Sequence, residues 1–304
     1  MVTSVQIGHM VMKNPVTTGS GTFGYGEEIS EFYDISALGA ITVKGTSLEP
    51  RFGNEYPRTF ETAAGVLNAI GLQNPGVKTV IEQKIPFLKK IDIPVILNII
   101  GSTVEEYAEI AKIFDCIEEI SAFEINVSCP NVKSGCLAFG TTASGTESVV
   151  EAVRKTTTKT VITKLSPNVT DITETAKAAE SAGSDAISLV NTFLGTAIDP
   201  YKRKFILANK TGGLSGPAIK PIALRMVCDV FNSVNIPIIG QGGIMTGLDA
   251  IEFILAGATA VSVGTANLVN PVAALNVIAE IEDYMKDTGV DDINSLIGAV
   301  HNQY

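Results

Sequence analysis

The chain is poor in the residues that mark several common protein classes. It has only two histidines, His9 and His301, both near the ends of the 304-residue sequence. No serine–histidine–acid constellation and no HExxH metal spacing can be assembled from them. The four cysteines, Cys116, Cys129, Cys136 and Cys228, form no CxxC pair and no zinc spacing, and a chain of this length needs no disulfide framework. A reducing, cytoplasmic compartment follows, which makes the glycosylation-like triplets at Asn126, Asn168 and Asn209 coincidental. No apolar run approaches the roughly 18–20 residues that cross a bilayer. The greasiest stretch, 85–101, is broken by Lys89, Lys90 and Asp92, and residues 1–15 lack the charged-then-apolar order of a signal peptide. Excess positive charge is missing too. A net charge of −10 argues against nucleic acid, which attracts basic surfaces, and leaves a small ligand as the expected partner.

What is abundant is apolar residues, at 45%, gathered in short runs. Eight of them, at 16–18, 41–44, 95–100, 123–126, 161–165, 186–190, 236–240 and 260–264, read as strands buried on both faces. Stretches of helical periodicity at 104–114, 147–155, 172–182 and 248–255 separate several of them. Strand–helix alternation implies a parallel sheet, and eight units in about 300 residues imply one closed (β/α)₈ TIM barrel spanning 1–304. A doubly wound open sheet is the alternative. In a barrel the strand exits converge on the C-terminal mouth, where α/β enzymes keep their chemistry. These exits carry Ser20-Gly21, Lys44-Gly45, Asn98, Asn126, Lys164, Asn191-Thr192, Gly242-Gly243 and Gly264-Thr265. Two lysines, several amides and glycine turns suit a flat, polar, anionic ligand.

Individual motifs narrow this. Gly19-Ser20-Gly21-Thr22-Phe23-Gly24 matches GxGxxG, but the acid expected about 20 residues on is replaced by Lys44, so a dinucleotide fold lacks its confirming residue. The glycines read instead as points of close backbone approach. Gly240-Gln241-Gly242-Gly243 and Gly264-Thr265-Ala266 follow the seventh and eighth strands, the usual barrel position for a phosphate. Lys44 and Lys164 suit a counter-charge to an anion, a Schiff-base amine or a snorkelling surface lysine. Asn126-Val127-Ser128-Cys129-Pro130-Asn131 places an amide, a hydroxyl and a thiol at the end of the run 122–125. Buried free cysteines are usually inert, which fits Cys116 and Cys228; Cys129, among polar neighbours, is a candidate base. From these residues alone a Schiff-base aldolase and a non-catalytic nucleotide-binding subunit also stand.

Longer motifs decide among them. Lys44-Gly45-Thr46 with Glu49-Pro50-Arg51, Leu67-Asn68-Ala69-Ile70-Gly71-Leu72-Gln73-Asn74-Pro75-Gly76, and the Asn126–Asn131 segment together resemble class 1 dihydroorotate dehydrogenases. Asn191-Thr192-Phe193 with Ala197-Ile198-Asp199, and the segment Thr211 to Pro221, resemble the catalytic subunit of the NAD-dependent class 1B. The resemblance implies oxidation of (S)-dihydroorotate to orotate in pyrimidine (UMP) biosynthesis, on FMN bound across the barrel mouth. FMN would be contacted by Ser20, Lys44, Gly45, Asn98, Asn126, Lys164 and Val190, with its phosphate on Gly216, Gly242, Gly243, Gly264 and Thr265. Dihydroorotate would be held by Lys44, Asn68, Ala69, Ile70, Gly71, Leu72, Asn126, Asn191 and Thr192, with Cys129 as the base. The resemblance also implies a partner subunit carrying FAD and a [2Fe–2S] cluster, NAD⁺ as the final acceptor, and a heterotetramer built on a dimer of this chain. No metal is expected on this chain. Glu55, Val66 and Cys136 depart from the family pattern. A related flavin barrel acting on another pyrimidine is the remaining variant.

Overall fold

The computed structural model describes residues 1–128 and 139–303. Eight parallel strands form one sheet: β1 (Val16–Thr18), β2 (Ile41–Thr46), β3 (Val95–Ile99), β4 (Ala122–Asn126), β5 (Thr160–Lys164), β6 (Ala186–Leu189), β7 (Ile238–Gln241) and β8 (Ala260–Val263). The hydrogen-bonded order runs β1-β8-β7-β6-β5-β4-β3-β2. From β2 to β8 every strand is hydrogen-bonded to its successor, as expected of successive βαβ units, and β8 pairs with β1. Between β1 and β2 side chains replace the ladder. Thr18 Oγ1 accepts from Thr42 N at 3.1 Å and donates to Thr42 O at 3.3 Å, and the Thr17 and Thr42 hydroxyls meet at 3.2 Å. The sheet closes into a barrel through three threonines.

The eight expected strands are all present, with shifts at their ends. The seventh begins at Ile238 rather than 236, because Pro237 has no N–H for a ladder and offers only its carbonyl, which Ile187 N bonds at 3.0 Å. The helix expected over 147–155 runs Ala143–Arg154. Its first turn is Ala-Ser-Gly-Thr, weak in propensity, but Thr142 accepts from Gly145 N and starts the helix early.

The outer helices show why they pack where they do. In helix Val104–Asp115 the buried residues are Tyr107, Ile110, Ala111 and Phe114, one face at the i, i+3, i+4, i+7 spacing. Thr103 caps its N-terminus, and Glu105 and Glu106 lie in the first turn where the helix dipole favours them. Helix Ile172–Ser181 repeats the spacing with Ile172, Thr175, Ala176 and Ala179. Helix Gly247–Leu255 begins with a reciprocal capping box between Thr246 and Asp249. Burying such Val, Leu and Ile side chains contributes roughly 1.5–3 kcal/mol each before entropy is counted.

The two barrel ends are finished differently. A hairpin of Val5–Ile7 and Met10–Met12 lies against the N-terminal end. His9 N donates to Thr160 Oγ1 at 2.9 Å, and a Cβ on Gly8 would meet Thr160 and Asp185 at 2.7–2.9 Å. At the C-terminal end the loops after β2 and β6 each supply two strands to a separate antiparallel sheet, ordered Phe193–Thr196, Thr211–Ser215, Gly65–Asn68, Thr59–Thr62. Its central pairing, Gly213 to Asn68, Leu214 to Leu67 and Ser215 to Val66, joins loops about 145 residues apart in sequence and raises a wall beside the mouth.

Candidate functional site

The strand exits and the wall sheet enclose one cavity of about 370 Å³, within the size range of small-molecule sites. Ser20, Lys44, Gly45, Asn98, Asn126, Lys164, Val190, Gly216, Gly242, Gly243, Gly264 and Thr265 all line it, as do Asn68, Ile70, Gly71, Leu72, Asn191 and Thr192. Ala69 does not. It is 1% exposed and faces the other way, against Leu67 and Leu207, because alternate residues of an extended segment point to opposite sides. Its side chain therefore does not line the cavity. Cys129, the expected base, and Cys136 lie outside the described residues.

The floor of the cavity is a buried polar network borne on β3 to β7. Asn98 is 0% exposed, and its Nδ2 donates to Glu124 Oε2 at 2.5 Å. Ser188 Oγ donates to Glu124 Oε1 at 2.9 Å. Lys164 Nζ lies 3.6 Å from Glu124 Oε2 and donates to Gln241 Oε1 at 3.3 Å. A carboxylate in the middle of an apolar strand is tolerated because every side it presents meets a donor or a cation. Gly45 is needed beside this network, since a Cβ there would sit 2.8 Å from Asn98 Oδ1.

A second set of amides stands one layer further out. Asn126 Oδ1 accepts from Ser128 Oγ at 2.8 Å, and Asn191 Nδ2 donates to the same hydroxyl at 2.6 Å. The Tyr107 hydroxyl holds the Asn126 carbonyl at 2.8 Å. Asn191 Oδ1 accepts from Thr192 N at 2.9 Å. The amides at the ends of β4 and β6 are thus locked by hydrogen bonds, not by packing alone, and present fixed donors and acceptors.

Across the cavity, the loops after β7 and β8 expose backbone. Gly242 and Gly243 have φ of 127° and 78°, and Gly216 opposite them has φ of 98°. A Cβ on Gly243 would meet Gly216 O at 2.8 Å, so these positions require glycine on both conformational and steric grounds. No heavy atom lies within 4 Å of a Cβ built on Gly264, and Thr265 Oγ1 donates to Ser215 Oγ of the wall sheet at 2.8 Å.

The segment from Asn68 to Leu72 closes the remaining side. Gly71 has φ of 78° and Leu72 of 58°; a left-handed leucine stores strain of order 1–3 kcal/mol that surrounding bonds must hold. Asn54 supplies them, with Nδ2 donating to Ala69 O and its backbone N to Ile70 O, both at 3.0 Å. Lys44, half-buried at the rim, has no side-chain ion pair or hydrogen bond among the described residues. Burial, reinforced by the nearby Arg58 guanidinium, holds its pKa below the usual lysine value.

A family model described as dihydroorotate dehydrogenase matches residues 2–285. The chain belongs to the dihydroorotate dehydrogenase family. It is 58% identical over 297 residues to a protein of Geobacter sulfurreducens named dihydroorotate dehydrogenase B (NAD(+)), catalytic subunit, covering 98% of this chain and 97% of that protein. A Porphyromonas gingivalis protein of the same name is 56% identical over 299 residues, with the same coverage of the two chains. A crystal structure of a dihydroorotate dehydrogenase from Eimeria tenella in complex with ferulenol superposes with a TM-score of 0.81 over 98% of this chain and 88% of that one. At 24% identity that likeness bears on the fold. The subclass that the motifs after β6 resemble is the one these relatives carry in their names.

Several lining residues were not singled out by the motifs. Gln241 ends β7, Ser262 is the penultimate residue of β8, Ile100 follows β3, and Thr59, Val66 and Ser215 come from the wall sheet. Glu124, behind the lining, is the clearest omission. Its signal is an acid at the centre of the run Ala122-Phe123-Glu124-Ile125-Asn126, where a doubly buried strand has no cheap place for a charge.

Proposed function

We propose that this chain is the catalytic subunit of an NAD⁺-linked dihydroorotate dehydrogenase, a single FMN-binding barrel domain that oxidises dihydroorotate to orotate. The observation that carries the reading is the single cavity in which the lysines, amides and glycine loops of separate strands meet. The residues suit FMN on their own chemistry. Asn98 Oδ1 and Gln241 Nε2 are buried without a hydrogen-bond partner among the described residues, and such an unmade bond costs roughly 1–3 kcal/mol. One is an acceptor and the other a donor, matching the imide N–H and carbonyl edge of a flavin. The glycine loops at 242–243 and 264 offer backbone N–H groups to a phosphate without a side chain in the way.

When bound, FMN supplies the acceptor for the hydride that leaves C6 of dihydroorotate. The chain's own residues do the rest. Lys44 meets the substrate's carboxylate, Asn126 and Asn191 orient its ring through amide hydrogen bonds, and the 68–72 segment with the wall sheet excludes water. Cys129 takes the C5 proton; a thiolate is the active form of such a base, so activity rises with pH through its pKa. Lys164, facing the cavity from the floor, stabilises negative charge that develops above it.

Electrons then leave this chain for a partner with FAD and a [2Fe–2S] cluster, and from there reach NAD⁺. We infer a dimer of this chain flanked by two partner subunits, in the cytoplasm. Among the described residues no group of histidines, cysteines and carboxylates is arranged to hold a metal ion, and no helix is long and apolar enough to cross a membrane. The test is the visible spectrum of the purified chain before and after anaerobic dihydroorotate. A flavin spectrum that bleaches on addition supports the reading; a flavin protein indifferent to dihydroorotate removes the substrate, and a chain that gains no spectrum with added FMN removes the cofactor. Cys129→Ser should keep FMN but slow bleaching by roughly 10²–10⁴-fold, the usual worth of a positioned base, with its pH dependence displaced upward. An unchanged rate removes Cys129 from the reaction.

A further inference from the structure

We propose that Glu124 is a positioning residue for this reaction, the built-in counter-charge that fixes Lys164 and Asn98 and moderates the positive field at the cavity floor. The inference deepens the flavin reading and rests on it. Glu124 is 4% exposed and lies behind the cavity lining, so it acts on whatever binds there through Lys164 and Asn98. Its register explains the reach. Glu124 pairs with Asn98 on β3 and Ile162 on β5, while Lys164 pairs with Asn126 on β4 and Ser188 on β6. Glu124 and Asn126 are two apart on β4 and share a face, so the carboxylate sits one layer below the amide and beneath the ammonium.

The bonding is asymmetric. Asn98 and Ser188 grip the two carboxylate oxygens at 2.5 and 2.9 Å, whereas Lys164 Nζ stands off at 3.6 Å from Oε2. Among the described residues the one hydrogen bond of the Lys164 side chain, to Gln241 at 3.3 Å, is long. The acid is therefore anchored behind the lining, and the cation is held loosely at the cavity surface with donor capacity to spare. A lone ammonium at this depth would be costly. With Glu124 in place the pair is close to neutral, and negative charge arriving above Lys164 feels an attraction partly cancelled from below. Glu124 thus limits how strongly the site favours added negative charge, which keeps electrons able to leave.

The test uses the FMN-loaded chain and reads the midpoint potential of the bound FMN together with its dissociation constant. Glu124→Gln keeps the shape and a hydrogen-bonding group but deletes the charge. The expected result is an upward shift of the midpoint potential at full FMN occupancy, with slower reoxidation by an artificial acceptor. Glu124→Asp keeps the charge but withdraws it by one methylene, and should give a smaller upward shift. Lys164→Gln should shift the potential downward, the opposite sign. If Glu124→Gln does not fold, Glu124→Asp decides alone. An unchanged or lowered potential in the Glu124 variants, in a wild type that is yellow and bleached by dihydroorotate, overturns the role of Glu124 and leaves the flavin reading standing. A wild type without flavin overturns both.

Discussion

The two lysines of the cavity occupy contrasting settings. Lys164 is 6% exposed at the end of β5, carried by a rigid strand and faced by Glu124 and Gln241. Lys44 is half-buried in the second half of β2, with no counter-charge among the described residues and the Arg58 guanidinium acting against its charge. One charge is balanced inside the protein, and the other is left for a ligand to balance. A permanently seated cofactor suits the first arrangement, because its environment can be assembled once during folding. A substrate that comes and goes suits the second, because its anion supplies what the free site lacks.

Removing Lys164 is the severest way to break this contrast. Lys164→Ala leaves Glu124 buried without its cation, a change that costs about 3–5 kcal/mol, and FMN should be lost or bound far more weakly. Thermal unfolding and flavin content check this together. Adding Glu124→Gln to Lys164→Ala should recover much of the stability but not the flavin, since the uncompensated charge is gone while the cavity cation is still missing. Equal instability of single and double variants would show that the pair is not energetically linked.

Lys44→Ala should behave oppositely. No ion pair or side-chain hydrogen bond among the described residues depends on its charge, so stability and FMN content should hold. Dihydroorotate binding should weaken by about 10- to 100-fold, the worth of one charge-assisted hydrogen bond. A titration of flavin bleaching measures it, and loss of FMN in this variant would erase the distinction between the lysines.

A subtler effect comes from pH. The Lys44 pKa in the free site is held low, and an anion beside it favours the charged form and raises it. Affinity for the anionic substrate is therefore full below the free-site pKa and falls as pH rises through it, with proton uptake on binding. Calorimetry in two buffers of different ionisation enthalpy detects that proton. Arg58→Gln, by removing a repulsive charge, should move the alkaline loss of affinity to higher pH; no displacement would exclude Arg58 as a cause.

The smallest effect is expected at the wall. Asn68 Nδ2 donates to Gly213 O at 3.3 Å, tying the two loops together. Asn68→Ala should weaken substrate binding by about 5-fold, the equivalent of one ordinary hydrogen bond of about 1 kcal/mol, without affecting FMN.

The barrel and most of its mouth are legible in the chain because their signals are local. Apolar runs such as 95–100 mark buried strands, and the polar residues in the last part of each run are placed at the mouth by the fold itself. Lys44, Asn98, Asn126 and Lys164 are all found this way. The wall sheet is not legible, since its strands, 59–62, 65–68, 193–196 and 211–215, are short and half-exposed and acquire their partners only when two distant loops meet. The orientation of Ala69 is hidden for a related reason: a motif names a segment, but the alternation of the extended chain decides which of its side chains face the cavity.

Sequence by itself determined the strand count, the (β/α)₈ class and the set of polar groups brought to one end, because hydrophobic periodicity and strand-end position act within a few residues. Only the tertiary structure decided which of those groups are paired. That Glu124 answers Lys164 while Lys44 meets no counter-charge among the described residues depends on register between neighbouring strands and on two loops crossing the mouth. Electrostatic partnership acts through space, and adjacency along the chain does not encode it.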